Sequence, residues 1–291
     1  MLLVPNSHEK HIPDADVLFA TGWDTVASIQ KCGSRKGTHC YLIQGYETWR
    51  GNKEMVDATW RLPIDKIVIA RWLKELGEQL GSGRLTYIPN AIDHSQYHIT
   101  KSIQNRPRRV AMAFSRSKVK ASEDGIRALV RAKEKFSDLE AVFFSTDRPD
   151  SSIPKWIEFN RNPPQNFIVS QILNASSIFL NPSLSEGWSL PATEAAACGC
   201  AIVSTDNGGI REYVEHDVSG LLSPPKDAEA LTHNLCQLLE DDQARIRIAK
   251  AGGSAVRQLC WDRSVDLLEA FCLRVSGLER RHCGGINKSN S

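Results

Sequence analysis

The stretch that decides the fold reads SLSEGWSLPATEAAACG and occupies residues 183–199. An apolar run precedes it at 178–180, and Pro191 stands where a helix would begin, because proline has no N–H that needs a partner in a first turn. Ser189 is suited to be the N-cap of that helix, and Gly199 is suited to end it. The stretch therefore predicts a strand, a short polar loop and a helix.

The loop and the helix start predict a site for a phosphate or diphosphate, because they present free backbone N–H groups and the positive end of the helix dipole. Glu186 lies in the loop and Glu194 in the first turns of the helix, so both carboxylates can face the crevice at the carboxyl ends of the strands. A sugar nucleotide would fit there, with one carboxylate at the ribose and the other at the sugar. The alternative is an ordinary loop residue at 186 and a Glu194 that only complements its own helix dipole.

Apolar runs and amphipathic stretches alternate along the chain of 291 residues, which predicts βαβ units with parallel sheets. A polar segment without clear periodicity follows residue 92 and indicates a linker. We expect an α/β protein of two Rossmann-like lobes. The expected boundaries are 1–92 for the N-terminal lobe, 93–106 for the linker, 107–276 for the C-terminal lobe and 277–291 for a mobile tail.

Composition narrows the classes of function. The chain has 36 Lys and Arg residues against 34 Asp and Glu, and a net charge of +2 gives no electrostatic case for binding nucleic acid. The longest apolar runs, such as 67–70, are too short to cross a bilayer. The eight cysteines have no zinc or disulfide spacing, so we expect reduced thiols in a cytoplasmic protein.

Residues 183–199, together with NGG at 207–209, closely resemble the signature of the retaining group 1 (family 4) glycosyltransferases, which have the GT-B fold. In that signature two glutamates are separated by seven residues, as Glu186 and Glu194 are here. The resemblance extends from about residue 16 to residue 272. It implies a GT-B fold of two lobes for this chain.

Two segments outside the signature also resemble this family. YIPNAID at 87–93 is similar to the end of the family's N-terminal lobe, and DVSGLL at 217–222 is similar to the family's G-x-x-G-L-L segment. Some positions depart from the pattern: Trp188 and Ser189 stand where the family usually has Phe-Gly, and Asp217 stands where it has glycine.

The resemblance implies a role for each matching residue. Glu186 would lie beside the transferred sugar, and Glu194 would bind the ribose of the nucleotide. Arg116 and Lys120 would neutralise the departing diphosphate, although their spacing is about one residue away from the family pattern. Four residues would offer backbone N–H groups to the diphosphate: Gly187, Trp188, Ser189 and Leu190.

The front of the chain departs most from the family pattern. The family's N-terminal lobe begins with a strand and a glycine-rich turn, whereas only the apolar run 1–4 precedes residue 16 here. The resemblance therefore implies an N-terminal lobe without its first half. We expect an incompletely covered sheet around residues 17–19 and 41–43, a free strand edge, and little sugar transfer by this chain alone.

Other signals are weighed against ordinary structural explanations. Asp14-Ala15-Asp16 has the DxD pattern of metal-dependent GT-A enzymes, but it precedes an apolar strand instead of following one, so we interpret it as a turn. The basic runs 31–36 and 106–109 are most simply solvated loops, and they could also contact anionic lipid. Trp72 and Trp156 could stack on a sugar or a base, but buried packing is commoner for tryptophan.

Our leading prediction is a retaining glycosyltransferase without a metal or other cofactor, which uses a nucleotide-diphosphate sugar as donor. Its acceptor would be a glycan or a lipid-linked glycan, and it would work in the cytoplasm or at the membrane surface. Two alternatives stay open: a non-catalytic module that binds sugar nucleotides, and a GT-B sugar-nucleotide epimerase.

Overall fold

The protein consists of two lobes, and each lobe is built around its own parallel sheet. The structure is a computed structural model that describes residues 6–278. The predicted apolar run at 1–4 and the predicted tail beyond residue 278 lie outside the described residues. Within residues 6–278, no helix is both long enough and apolar enough to span a membrane. The prediction of an α/β protein with two such lobes is confirmed.

The N-terminal lobe is a four-stranded sheet with the order β1-β2-β3-β4, in which all neighbouring strands are parallel. Its elements are β1 Val17–Ala20, α1 Trp23–Ile29, β2 Thr38–Ile43, α2 Lys53–Trp60, β3 Asp65–Val68, α3 Arg71–Gln79 and β4 Leu85–Tyr87. Among the described residues β1 pairs only with β2, so it forms one edge of the sheet, as predicted.

The C-terminal lobe is a six-stranded parallel sheet with the order β10-β9-β8-β5-β6-β7. Its first half contains β5 Arg109–Ala113, α4 Ser122–Lys135, β6 Glu140–Ser145, β7 Ile157–Arg161 and α5 Gln165–Phe167, which continues as a π-helical segment Ile168–Leu173. Its second half contains β8 Ile178–Asn181, α6 Leu190–Ala197, β9 Ala201–Thr205, β10 Leu221–Ser223, α7 Ala228–Glu240 and α8 Asp242–Val256. Helix α4 packs on α7, while α6 packs on α8.

The last helix, α9 Trp261–Ser276, returns to the N-terminal sheet. The sequence places residues up to 276 in the C-terminal lobe, whereas Phe271 of α9 packs in one buried cluster with Cys40 and Ile67 of the N-terminal strands. Arg274 donates from Nη1 to Asp65 Oδ1 at 2.9 Å at the other end of this contact. The boundary between the lobes is therefore crossed twice by the chain.

Helix α9 also changes the expected exposure of the N-terminal sheet. Residues 41–43 were expected to be uncovered, yet Tyr41 and Ile43 are each only 1% exposed. The ring of Phe271 lies 6.0 Å from that of Phe19 on the edge strand. Tyr41 and Ile43 pack in a cluster with Val56 and Trp60 of α2, whereas Phe271 of α9 packs with Cys40 on the other face of β2. The cover from α9 lies more than 200 positions further along the chain, which is why the sequence pattern does not reveal it.

The predicted linker, residues 93–106, joins the lobes but is anchored to the C-terminal one. Arg106 is only 7% exposed. Its guanidinium donates to the carbonyls of Cys198 at 2.7 Å and Ser176 at 3.0 Å. Arg108 and Arg109 of the same basic run form ion pairs within the lobe, at 3.1 and 2.7 Å. This run therefore has structural partners, which removes the motivation for a lipid contact by it.

Replacing Phe271 with alanine should reduce the free energy of unfolding by about 3–5 kcal/mol, since it empties the space of a buried aromatic ring. The matched control is Leu268→Ala on the same helix, where a side chain 41% exposed should cost no more than about 1 kcal/mol. Urea unfolding followed by circular dichroism measures both. Equal losses in the two variants would contradict the packing of α9 on the N-terminal sheet.

Candidate active site

A crevice is expected where the strand order of the C-terminal sheet reverses. From β5 the chain proceeds to β6 and β7 on one side of the sheet, and from β8 it proceeds to β9 and β10 on the other. β5 and β8 are neighbours, so the loops that follow them diverge and leave space at the carboxyl ends of these strands. These two loops, residues 114–121 and 182–189, contain most of the predicted site residues.

Glu186 and Lys120 meet across this crevice. The Nζ atom of Lys120 lies 2.7 Å from Oε1 and 2.8 Å from Oε2 of Glu186. The Glu186 side chain is 13% exposed, whereas that of Lys120 is 38% exposed. The backbone of Glu186 is held on both sides, because its N–H donates to Asn207 at 2.9 Å and its carbonyl accepts from Gly209 at 3.0 Å. The carboxylate therefore has a fixed position beside a cation that solvent can reach.

The backbone that follows Glu186 forms a row of available donors. Within residues 6–278, no group accepts a hydrogen bond from the N–H of Gly187, Trp188, Ser189 or Leu190. The first three of these residues are buried, and buried N–H groups are normally paired. Because α6 begins at Leu190, its positive dipole end adds to the same region. The row is suited to an anionic oxygen ligand.

The conformation of Ser189 determines where this row points. Its φ of 75° and ψ of 59° place it in the left-handed region, which favours glycine. Its hydroxyl accepts from Asn181 Nδ2 at 2.9 Å, and its carbonyl accepts from the Tyr213 hydroxyl at 2.8 Å. These two contacts stabilise a backbone conformation that is strained for a residue with a side chain. The Trp188 ring is a core group, since it is 3% exposed and donates to Thr193 Oγ1 at 3.1 Å.

Glu194 lies about one turn into α6, four positions after the last residue of the row. Burial raises its pKa to about 7, and the nearby Tyr97 hydroxyl opposes part of that rise. The Tyr97 hydroxyl also accepts from Gln165 Nε2. A desolvated carboxyl group that remains ionisable near neutral pH is a good acceptor for ligand hydroxyl groups.

Arg116 does not join Lys120 at the crevice. The backbone N–H of Arg116 donates to Asp147 Oδ2 at 2.9 Å, and the Nε atom of its guanidinium lies 3.9 Å from Asp150 Oδ2. Both acidic residues belong to the loop after β6. The predicted pair of cations is therefore separated here: Lys120 faces Glu186, and Arg116 faces the loop after β6.

The N-terminal lobe closes directly onto the loop of the site. Trp72 donates from Nε1 to the carbonyl of Gly187 at 3.1 Å. A Cβ atom at Gly187 would lie only 1.7 Å from the carbonyl oxygen of Gln44, so no other residue fits this approach. Glu212 accepts from the Tyr87 hydroxyl at 2.7 Å, which joins the lobes a second time. Trp72 thus contributes to the contact between the lobes instead of being an isolated stacking platform.

The DxD pattern and Trp156, which we interpret as ordinary structural features, contact other side chains of the protein. Asp14 of the DxD sequence pairs with Arg35 at 2.7 Å and with Lys36 at 2.8 Å. In the part of the chain that the structure describes, no three His, Cys, Asp or Glu side chains are grouped so as to hold a metal ion. The Trp156 ring lies 5.1 Å from Lys133 Nζ, away from the crevice.

Sequence reasoning missed Tyr97, Gln165 and Asn181. Tyr97 lies in the segment interpreted as a linker, and Gln165 begins a three-residue helix after a proline loop. Neither belongs to a recognisable motif. Asn181 could have been found, because it ends a strand in the sequence directly before the signature stretch, where side chains of parallel sheets line ligand sites.

Comparison with known proteins supports the family resemblance in the C-terminal lobe. Residues 161–254 match the family described as Glycosyl transferases group 1. Over 111 residues the chain is 35% identical to the D-inositol 3-phosphate glycosyltransferase of Salinispora tropica, covering 38% of this chain and 23% of that protein. Over 127 residues it is 33% identical to the amylovoran biosynthesis glycosyltransferase AmsK of Erwinia amylovora, covering 42% and 31%. The chain thus matches a quarter to a third of the length of these relatives.

Solved structures resemble both lobes together. Sucrose-phosphate synthase from Thermosynechococcus elongatus superposes with a TM-score of 0.75 at 17% identity, covering 90% of this chain and 74% of that one. Anabaena HepE in complex with UDP superposes with a TM-score of 0.73 at 16% identity, covering 90% and 79%. At these identities the likeness concerns the fold alone. The predicted GT-B fold is confirmed, and the matched family segment contains Glu186, Glu194 and the donor row, but neither Arg116 nor Lys120.

The raised pKa of Glu194 should be visible in the stability of the protein without ligand. The folded state keeps its proton up to about pH 7 whereas the unfolded chain loses it near 4.5, so the free energy of unfolding should fall as pH rises between these values. Glu194→Gln should remove this loss of stability at high pH, because glutamine has no carboxyl proton to release. At pH 8 the variant should be more stable than the parent by about 1–3 kcal/mol, and near pH 4 the two should agree. The exposed Glu215→Gln is the control, and a parent-like Glu194→Gln at both pH values would contradict the assignment.

The close approach at Gly187 gives a second prediction. Gly187→Ala should force the loop away from Gln44 and lower the free energy of unfolding by about 1–3 kcal/mol or more. Small-angle scattering should show a larger radius of gyration, because the lobes can no longer meet. Gly83→Ala is the matched control, since nothing lies within 4 Å of the added carbon. Unchanged stability and size in Gly187→Ala would exclude this contact.

Proposed function

We propose that this chain, which has the GT-B fold and carries a group 1 glycosyltransferase segment, transfers a sugar from a nucleotide-diphosphate sugar to an acceptor hydroxyl with retention of configuration and without a metal ion. The observation that supports the proposal most is the row of unpaired N–H groups at residues 187–190. Along the chain this row lies between Glu186 and Glu194. A diphosphate on this row would have a carboxylate on each side, one for the ribose and one for the sugar.

Each residue of the crevice then has a distinct task. The N–H row and the start of α6 would hold the diphosphate, and Glu194 would accept hydrogen bonds from the ribose hydroxyls. Glu186 would lie beside the sugar ring. Lys120 would exchange its pairing with Glu186 for a phosphate oxygen, so that both groups become available when the donor binds.

The reaction itself requires little covalent participation by the protein. The bond between the anomeric carbon and the phosphate oxygen breaks, a bond to the acceptor oxygen forms, and the acceptor proton passes to the departing diphosphate. Negative charge accumulates on the diphosphate as this happens. Preorganised N–H donors and Lys120 would stabilise that charge.

The acceptor side is proposed from the relatives. The chain is 37% identical over 82 residues to an α-1,3-N-acetylgalactosaminyltransferase of Campylobacter jejuni named for a diphospho-undecaprenol acceptor, covering 22% of that enzyme. Together with the inositol phosphate and amylovoran enzymes, this favours a glycan or lipid-linked glycan acceptor. We place the reaction in the cytoplasm or at the cytoplasmic membrane surface.

A module that binds sugar nucleotides without transferring them is the second candidate. It is favoured by Arg116, whose guanidinium is occupied by the loop after β6 and would have to turn to reach a diphosphate. Incubation of the full chain with UDP-sugars and a panel of acceptors, followed by mass spectrometry, separates the two. Donor binding without any glycosylated product or free UDP would select the binding module.

Calorimetry with UDP tests the two glutamates. Glu194→Gln should weaken UDP binding about 10- to 100-fold, because one or two charge-assisted hydrogen bonds of about 1.5–3 kcal/mol are lost. Glu186→Gln should leave affinity for UDP within about threefold and instead lower turnover. Glu215→Gln serves as the control. Unchanged affinity in Glu194→Gln would exclude the ribose assignment.

Donor binding should also be independent of divalent metal. The N–H row, the start of α6 and Lys120 supply the positive charge that a metal ion supplies in DxD enzymes. UDP affinity measured in EDTA should equal that measured in Mg²⁺ or Mn²⁺. Loss of binding in EDTA with recovery on adding metal would overturn this part of the proposal.

A further inference from the structure

A second cavity lies beside Ala197 at the end of α6, and none of its lining residues belongs to the loops 114–121 and 182–189 of the candidate active site. It has a volume of about 600 Å³, and its polar lining residues are His94, Tyr97, His98, Lys250, Ser254 and Arg257. Four of these six side chains carry basic groups. No carboxylate lines the cavity among the described residues.

Lys250 and Arg257, the two charged side chains that line this cavity, are both exposed. Within residues 6–278, neither Lys250 nor Arg257 takes part in an ion pair, although most arginines of the chain do. His94 Nε2 is buried and has no hydrogen-bond partner. Lys250 and Arg257 lie about two turns apart at the end of α8 and line the same cavity, so both would attract an anion bound between them.

This cavity, which we call the hinge cavity, lies where the chain crosses between the lobes. His94 and His98 belong to the first crossing, which leads from the N-terminal lobe to β5. Arg257 belongs to the second crossing, between α8 and α9. The two crossings touch, since the Ile92 N–H donates to the Leu259 carbonyl at 3.1 Å. A ligand held here would contact both connections at once.

We propose that the hinge cavity is a second ligand site, which binds a small phosphate-bearing anion. The positive charges of Lys250 and Arg257 suit a phosphate dianion, and the imidazole groups add N–H donors. The volume exceeds what inorganic phosphate needs, so an organic phosphomonoester fits as well. Tyr97 lines this cavity, and its hydroxyl lies near Glu194, so the hinge cavity adjoins the residue that we assign to the ribose. The proposal does not depend on the reaction proposed for the crevice.

Thermal denaturation of the full chain in increasing inorganic phosphate tests the site, with ribose 5-phosphate in a parallel arm and sodium chloride at equal ionic strength as reference. Binding to the native state should raise the melting temperature in a saturable way. The double variant Lys250→Ala/Arg257→Ala should weaken the apparent affinity at least about tenfold. The stronger of the two arms identifies whether the ligand is the free anion or a phosphomonoester.

Two controls locate the effect. Lys10→Ala/Lys31→Ala removes the same charge from exposed positions of the N-terminal lobe and should respond like the parent. Lys120→Ala impairs the crevice and should keep the response if the anion binds at the hinge. A response that survives in Lys250→Ala/Arg257→Ala and is lost in Lys120→Ala would overturn the proposal, as would the absence of any saturable response in the parent.

Discussion

Unpaired backbone N–H groups at residues 187–190 are the feature on which the arrangement of this protein depends. Burying such groups without partners is costly, so the fold must hold them in place by other interactions. The reversal of strand order between β5 and β8 opens the space in front of them. Asn181 and Tyr213 fix the left-handed Ser189, and this conformation turns the chain into α6 while the preceding N–H groups stay free. Much of the local packing therefore maintains a row of N–H groups without partners in the protein.

The contact between the lobes serves the same loop. Gly187 can approach Gln44 because it lacks a side chain, and Trp72 binds the carbonyl of that glycine, so the N-terminal lobe fixes the donor row from the other side. Helix α9 in turn holds the N-terminal sheet, through Phe271. Residues of both lobes therefore shape the loop that carries the donor row, and α9 supports the N-terminal sheet from elsewhere.

Contiguous features of the site could be predicted from the sequence, whereas those assembled from distant segments could not. Pro191 and the glutamates within residues 183–199 carry local signals for a loop and a helix start, and the structure has α6 in that place. The partnership of Tyr97 with Glu194 joins residues from separate segments, and no periodicity reveals it. The same holds for the pairing of Arg116 with Asp150, because exposed ion pairs depend on loop geometry that hydrophobic patterning does not determine.

The central claim is that the donor row binds the diphosphate of a nucleotide, and amide hydrogen exchange on the full chain measures this directly. UDP at saturating concentration should slow exchange of the amides at residues 187–190, while Pro191 contributes no signal because it has no N–H. Protection should be largest there, since these are the groups without partners in the protein alone. UDP binding that leaves the exchange of residues 187–190 unchanged would contradict the account.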